Sequence, residues 1–183
     1  VVSTLVYLYG PPGVGKSTLM AELTKNCGRL TSESKVPHDL LLREGQYVPE
    51  IVGVELGRRR QAFSGTDAMS MSIQPQAVSW LRTQPYGLIL GEGARLATRG
   101  FLEAARGAGY AVHAFYLDAT RQELDARRRK RGSNQDEKWI KGASTRAANL
   151  HAAIGGWDLD GMRTPQELVE ALIEAVPALE VLR

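Results

Sequence analysis

The sequence predicts an α/β fold, with a mainly parallel five-stranded sheet, helices on both faces and a mobile lid. Three observations carry this expectation. Apolar, β-rich runs alternate with amphipathic stretches along the chain. No repeat, low-complexity tract or linker divides the 183 residues, so one domain is expected over 1–183, with the lid at about 131–143. Hydrophobic residues make up 43% and charged residues 23%, which excludes wholesale disorder. The opening run, Val1 to Tyr9, is too short to span a bilayer and lacks a basic flank and a cleavage site. A single cysteine, Cys27, makes no internal disulfide, and no Cys/His cluster has zinc spacing. The expected setting is a reducing one, the cytoplasm.

Each element has its own signal. Thr4 to Tyr9 reads as the first strand. A helix starts near Gly15 or Lys16 and runs to Asn26, with Gly28 placed to end it. From Leu30 to Arg60 the pattern is weak, and the reading is a helical turn around Asp39 to Glu44 and a short strand around Ile51 to Glu55. Ile73 to Thr83 is helical, with Pro75 in the first turn, where a missing amide does no harm. Gly87 to Leu90 is a short buried strand that delivers Glu92 at its end. Thr98 to Ala108 is a helix with Phe101, Leu102 and Ala105 on one face, Ala111 to Leu117 a strand, and Gln122 to Arg131 a helix. Gly132 to Gly142 is polar and rich in turn formers, hence the mobile loop, and Ser144 to Ala153 is helical. Trp157 to Leu159 reads as a short strand. Thr164, Pro165 and Glu167 form a capping box for a last helix with apolar residues at helical spacing.

Between the first strand and the first helix, Gly10-Pro11-Pro12-Gly13-Val14-Gly15-Lys16-Ser17 matches G-x-x-x-x-G-K-[ST] in full. Glycines let such a loop wrap with its amides pointing inward, and the helix N-terminus adds partial positive charge. Lys16 then bridges the β- and γ-phosphates of ATP, and the Ser17 hydroxyl ligates Mg²⁺. Gly10, Gly13, Val14, Gly15, Lys16, Ser17 and Thr18 are the expected nucleotide-binding residues. The domain is therefore expected to be a three-layer P-loop NTPase fold. A GTPase would carry N-K-x-D after a late strand, and the sequence has none. A small kinase fits better.

Phosphoryl transfer needs three further parts. Glu92, at the C-terminal edge of the sheet, is placed to orient the metal or its water, with helix capping as the other reading. Arg127, Arg128 and Arg131 lie at the entry to the lid, where guanidinium groups can clamp the transferred phosphoryl, although Glu123–Arg127 is also an ordinary i,i+4 pair. A hydroxyl acceptor needs a carboxylate to take its proton. Asp67, in the turn Ser64-Gly65-Thr66-Asp67, is the first candidate, with Asp39 and Glu92 as rivals. The catalytic set read from the sequence is thus Lys16, Asp67, Glu92 and Arg128. The chain carries a formal charge of +3, with basic runs at Arg58 to Arg60 and Arg127 to Arg131 suited to phosphate groups. The turn Asp160-Gly161-Met162 is a place for a contact to the nucleotide base.

The phosphate loop, Glu92, the arginine-rich helix and the loop after it resemble the nucleoside and nucleotide kinase superfamily across almost the whole chain. Three longer strings, Gly57 through Met71, Gly91 through Leu102 and Gly132 through Leu150, resemble the phage-type 5-hydroxymethyluracil DNA kinases. Departures point the same way. The adenylate-kinase-like Asp-Gly-x-Pro-Arg loop is replaced by Gly91-Glu92-Gly93-Ala94-Arg95, and the Asp-Arg-Ser triplet of deoxynucleoside kinases is absent. The resemblance implies ATP- and Mg²⁺-dependent phosphorylation of a hydroxymethyl group on a pyrimidine in DNA containing 5-hydroxymethyluracil, a step in base hypermodification, in a phage-infected bacterial cell. Such an enzyme reaches into the major groove or flips its base out. Arg58, Arg59, Arg60, Lys138, Lys141 and Arg146 are candidates for the backbone, and Phe63, Trp80 or Trp139 for the base. Trp139 is otherwise a lid anchor, and Trp80 lies at core-like spacing. Asp39, Arg58, Arg59, Phe63, Thr66 and Trp139 make up the expected acceptor set. A nucleoside or nucleoside-monophosphate kinase of thymidylate type and a nucleic-acid-binding ATPase are the alternatives.

Overall fold

The computed structural model describes residues 2–58, 64–83, 85–132 and 135–183. Its centre is β1 (Thr4–Tyr9), buried along its whole length. Alternate side chains of β1 point to opposite faces. Leu5, Tyr7 and Tyr9 enter one apolar cluster and Val6 and Leu8 the other. A strand apolar on both faces belongs inside a sheet covered on both sides. Parallel strands β5 (Leu88–Glu92) and β6 (Ala111–Asp118) flank β1. β4 (Glu50–Leu56) adds to β5, and β7 (Trp157–Asp160) adds to β6, both in parallel.

The sheet has seven strands, in the order β2-β3-β4-β5-β1-β6-β7, rather than five. The additional pair is the antiparallel hairpin β2 (Gly28–Thr31) and β3 (His38–Arg43). The helical turn expected at Asp39 to Glu44 is therefore a strand. Leucine and arginine favour helix locally, but a ladder to β4 on one side and β2 on the other outweighs that preference. A buried ion cluster fastens the hairpin. The Arg29 guanidinium donates to Glu55, to Asp39 at 3.2 Å and to the Thr24 hydroxyl at 2.6 Å. The same need shortens α1 (Lys16–Leu23), which stops before Asn26. Thr24 folds its hydroxyl back onto the Met20 carbonyl, and the chain turns so that Gly28 opens β2 instead of merely ending a helix.

On one face, α1 and α6 (Pro165–Ala175) pack with the C-terminal 3₁₀ turn Pro177–Leu182. The other face carries α2 (Gln74–Leu81), α3 (Arg99–Gly107) and α5 (Glu137–Ile154). The Thr164–Glu167 capping box forms as read, and Thr98 caps α3 by accepting from the Phe101 amide at 3.2 Å. α4 (Arg121–Lys130) leads to the lid. There the structure departs from the sequence reading, because α5 begins at Glu137 and takes in most of the expected loop. Asp136 caps it, accepting from the Trp139 amide, and Ala143 is buried. Gly142, read as loop, lies inside the helix, where packing of neighbouring residues offsets its weak propensity. Among the described residues no helix is long and apolar enough to cross a membrane.

Candidate active site

The C-terminal ends of β4, β5, β1 and β6 lie together at one edge of the sheet, the edge where open α/β folds bind ligands. Residues 10–17 leave β1 there and enter α1. The loop rests on β6: a Cβ on Gly10 would lie 2.2 Å from the Leu117 carbonyl oxygen. Lys16 donates its ammonium to the Gly10 and Pro11 carbonyls, each at 3.1 Å. Desolvation lowers the Lys16 pKa, while Glu92 and Asp67 pull it back up and Arg131 lowers it further. Thr18, beside Ser17 in the first turn of α1, is exposed.

Glu92 ends β5 next to this loop and is almost fully buried. Its Oε1 accepts from the Ser17 hydroxyl at 2.9 Å and from Ser64 at 3.2 Å. Burial raises its pKa to about 7, against the lowering pull of Lys16 and the Ser17 hydrogen bond. Because the Ser17 hydrogen points at Glu92, the lone pairs on Ser17 Oγ remain to face a cation. Among the described residues no group of three or more His, Cys, Asp and Glu side chains forms a metal cage. Ser17 and Glu92 thus suit Mg²⁺, which is held by few protein ligands and by substrate phosphates.

A 3₁₀ turn, Gly65–Ala68, brings Asp67 to the same place. Its Oδ1 accepts from the Ala94 amide at 2.7 Å, and its charge is felt by both Lys16 and Glu92. Of the three carboxylates considered as base, Asp67 and Glu92 meet at the phosphate loop and Asp39 does not. Asp39 is buried on β3, held by Arg29 and by the Thr31 hydroxyl at 2.9 Å. Thr66 also departs from its expected acceptor role. Its side chain is fully buried, 2.8 Å from the Tyr7 hydroxyl and donating to the Glu92 carbonyl at 2.9 Å, so it faces the protein and not a substrate.

Two arginines of α4 brace the phosphate loop from behind. Arg127 donates to the Val14 carbonyl at 2.8 Å, to Gly161 at 2.9 Å and to Glu123 at 2.6 Å, while Arg128 donates to Pro12 at 3.0 Å and to Asp125. Arg131 lies close to Gly13. Sequence reasoning placed these guanidinium groups on phosphate and missed their grip on the loop's own carbonyls. No periodic signal carries such a contact. Gly161 also donates its amide to Asp118 at 2.7 Å, joining the turn after β7 to the end of β6. Beside it opens a cavity of about 480 Å³ lined by Asp118, Thr120, Asp158, Asp160 and Met162. The turn singled out for the nucleotide base therefore sits beside the phosphate loop.

Of the acceptor residues, Arg58 follows Gly57 at the end of β4, and its buried Nε meets no partner among the described residues. Arg59, Arg60 and Phe63 lie outside the described residues. Trp139 stands in the first turn of α5, about half exposed. Trp80 packs beside His38 at 5.2 Å between ring centroids, and His38 is buried, so both belong to the core.

Three solved structures share the fold of this chain. An unliganded sugar kinase from Janibacter sp. HTCC2649 matches with a TM-score of 0.55 at 15% identity, over 97% of this chain and 98% of the other. The tunicamycin resistance protein of Deinococcus radiodurans matches with a TM-score of 0.54 at 18% identity, over 95% of each chain. A gluconokinase from Sinorhizobium meliloti 1021 matches with a TM-score of 0.52 at 12% identity, over 98% of this chain and 93% of the other. At such identities the likeness speaks to the fold. Among curated proteins none matches. The family model described as P-loop Nucleotide Kinase3 matches residues 1–172, nearly the whole chain. With its phosphate loop, buried glutamate and bracing arginines at one sheet edge, the chain belongs to the P-loop nucleotide kinase family and is a phosphotransferase.

Proposed function

We propose that the chain transfers the γ-phosphoryl group of ATP to the hydroxymethyl group of 5-hydroxymethyluracil in DNA, as a step in hypermodification of that base. The observation that carries the reading is Asp67. It stands beside the charges of Lys16 and Glu92, with one carboxylate oxygen on the Ala94 amide and the other without a hydrogen bond among the described residues. A carboxylate so placed takes the proton of an alcohol. The acceptor oxygen then bonds to the γ-phosphorus, the bond from phosphorus to the β–γ bridging oxygen breaks, and ADP leaves. Lys16 leaves its loop carbonyls for the phosphates, and Ser17 and Glu92 would hold Mg²⁺, which would neutralise phosphate charge.

The DNA acceptor is supported by what stands at the same edge of the sheet. Arg58 lies just beyond β4, Arg95 follows β5, and Lys138 and Lys141 lie in the first turns of α5, which starts at the same edge because it feeds β7 from the opposite one. The side chains of Met71 and Trp139 are exposed there, and Arg95 lies against Met71. Cations with apolar platforms suit a backbone and an extruded base. The acceptor class also rests on the resemblance of the strings 57–71, 91–102 and 132–150.

The test is γ-labelled ATP with, in parallel, hydroxymethyluracil duplex, unmodified duplex, free nucleosides, nucleoside monophosphates and gluconate. Label is expected in the hydroxymethyluracil duplex, and none with Lys16→Ala. Label confined to a monophosphate or to gluconate refutes the DNA acceptor, and hydrolysis without transfer points to an ATPase.

A further inference from the structure

Three hydrogen bonds join the turn that carries Asp67 to residues 92–94 at the end of β5, and Tyr7 of β1 adds a fourth. Ser64 donates to the Glu92 carboxylate at 3.2 Å, and Thr66 donates to the Glu92 carbonyl at 2.9 Å. Tyr7 donates to the Gly93 carbonyl at 3.1 Å, and the Ala94 amide donates to Asp67 at 2.7 Å. The Tyr7 and Thr66 oxygens are 2.8 Å apart, so their two hydroxyl hydrogens are shared among this contact and the two carbonyls.

The fit around the carboxylates is close. Gly65 and Gly93 have φ of +61° and +109°, a region that favours glycine. A Cβ on Gly65 would lie 2.4 Å from Glu92 Oε1, and one on Gly93 would lie 3.0 Å from the Asp67 carboxylate carbon. Beneath them Tyr7 is fully buried, its ring edge-on to Phe101 at 6.1 Å and filling the space a Gly91 side chain would need. Phenylalanine would fill that space as well. The added hydroxyl is tolerated in a buried place only because it is hydrogen-bonded, and burial pushes its pKa up, so it stays a neutral donor. Neither Tyr7 nor Thr66 reaches solvent, so neither touches nucleotide or acceptor. Their hydroxyls act on each other and on the backbone at and just after Glu92.

We infer that Tyr7 and Thr66 are positioning residues, whose paired hydroxyls set Asp67 against Glu92 in the arrangement that phosphoryl transfer uses. The inference rests on the role given to Asp67 above. A base held by its neighbours within a fraction of an ångström is worth far more than one free to wander.

Tyr7→Phe, Thr66→Val and Thr66→Ser test it. Tyr7→Phe and Thr66→Val are expected to lower kcat for transfer about ten-fold, with KM for ATP within about two-fold of the parent. Thr66→Ser, which restores the hydroxyl, brings kcat back to within about three-fold. The double variant Tyr7→Phe/Thr66→Val loses no more than about the worse single change, since both act through one turn. A second readout needs no acceptor: hydrogen exchange of the Ala94 amide, which donates to Asp67 and is expected to exchange about ten-fold faster once the clasp is lost. Unchanged kcat in Tyr7→Phe, or no recovery with Thr66→Ser, overturns the inference. If the parent protein labels no acceptor, the functional reading fails by itself. The clasp is then judged on amide exchange, and unchanged protection of the Ala94 amide in Tyr7→Phe and Thr66→Val overturns it.

Discussion

At the scale of single residues, Asp67 and Glu92 are two carboxylates in one site with different surroundings. Glu92 is buried, its pKa raised to about 7, while Asp67 sits in a turn on a backbone amide. Such pairs divide their labour according to environment. Asp67→Asn removes the proposed proton acceptor and keeps the shape, so kcat for transfer is expected to fall by on the order of a hundredfold or more, with ATP affinity little changed. A fall of only a few fold in steady-state kinetics returns Asp67 to a structural role. Glu92 predicts a pH dependence of the opposite kind. Its folded pKa lies above the ordinary carboxylate value of 4.5, so between pH 4.5 and 7 the folded state holds a proton that the unfolded state has lost. Stability of the nucleotide-free protein therefore falls as pH rises through that window, by up to about 3 kcal/mol. Glu92→Gln is expected to flatten this slope in urea titrations, and to weaken Mg²⁺·ATP binding above pH 7, where the parent carboxylate is ionised.

At the scale of elements, the hairpin β2–β3 depends on one guanidinium. Arg29 is mostly buried and lies between Asp39 and Glu55, both buried on neighbouring strands. Removing it takes a shared counter-charge from two buried carboxylates, a strongly destabilising change. Arg29→Ala is expected to cost about 3–5 kcal/mol in chemical denaturation. Asp39→Asn keeps phosphoryl transfer within a few fold, because Asp39 stands on the sheet and not at the phosphate loop. The helix α4 shows the converse economy. Its arginines read as phosphate ligands, yet Arg127 and Arg128 hold the carbonyls of Val14, Pro12 and Gly161, so one helix sets both the loop and the turn beside the 480 Å³ cavity.

At the scale of the whole molecule, a parallel sheet with β1 at its centre gathers distant parts of the chain at one edge. Residues 10–17 from β1, Arg58 from β4, Glu92 and Arg95 from β5, and the first turns of α5 meet there through topology alone. If that edge receives DNA, the interaction carries the salt dependence of a polyanion. Transfer to hydroxymethyluracil duplex is expected to lose kcat/KM steeply with added salt, while ATP hydrolysis changes little. Arg58→Ala and Lys138→Ala should each lower the slope of log(kcat/KM) against log[salt] by about 0.9. A slope near zero in the parent protein counts against a nucleic acid acceptor.

Much of this arrangement could be read from residues alone, wherever the signal is local. The phosphate loop, the β1 run, the Thr164 capping box and the apolar face of α3 are each encoded within a few consecutive positions, and the structure has them where periodicity put them. Glu92 was legible because a short apolar strand can end only at the sheet's edge. What resisted reading depends on contacts far apart in sequence. Asp39 looked like a candidate base until pairing with β4 and Arg29 placed it in the sheet, and residues 137–143 looked like a loop until burial of Ala143 made them helix. Thr66 looked free until Tyr7, 59 positions away, claimed its hydroxyl. Local sequence thus determined where the phosphate-loop motif sits. Only tertiary structure decided which carboxylates stand beside that loop, since burial and hydrogen-bond partners are set by neighbours that no short window contains.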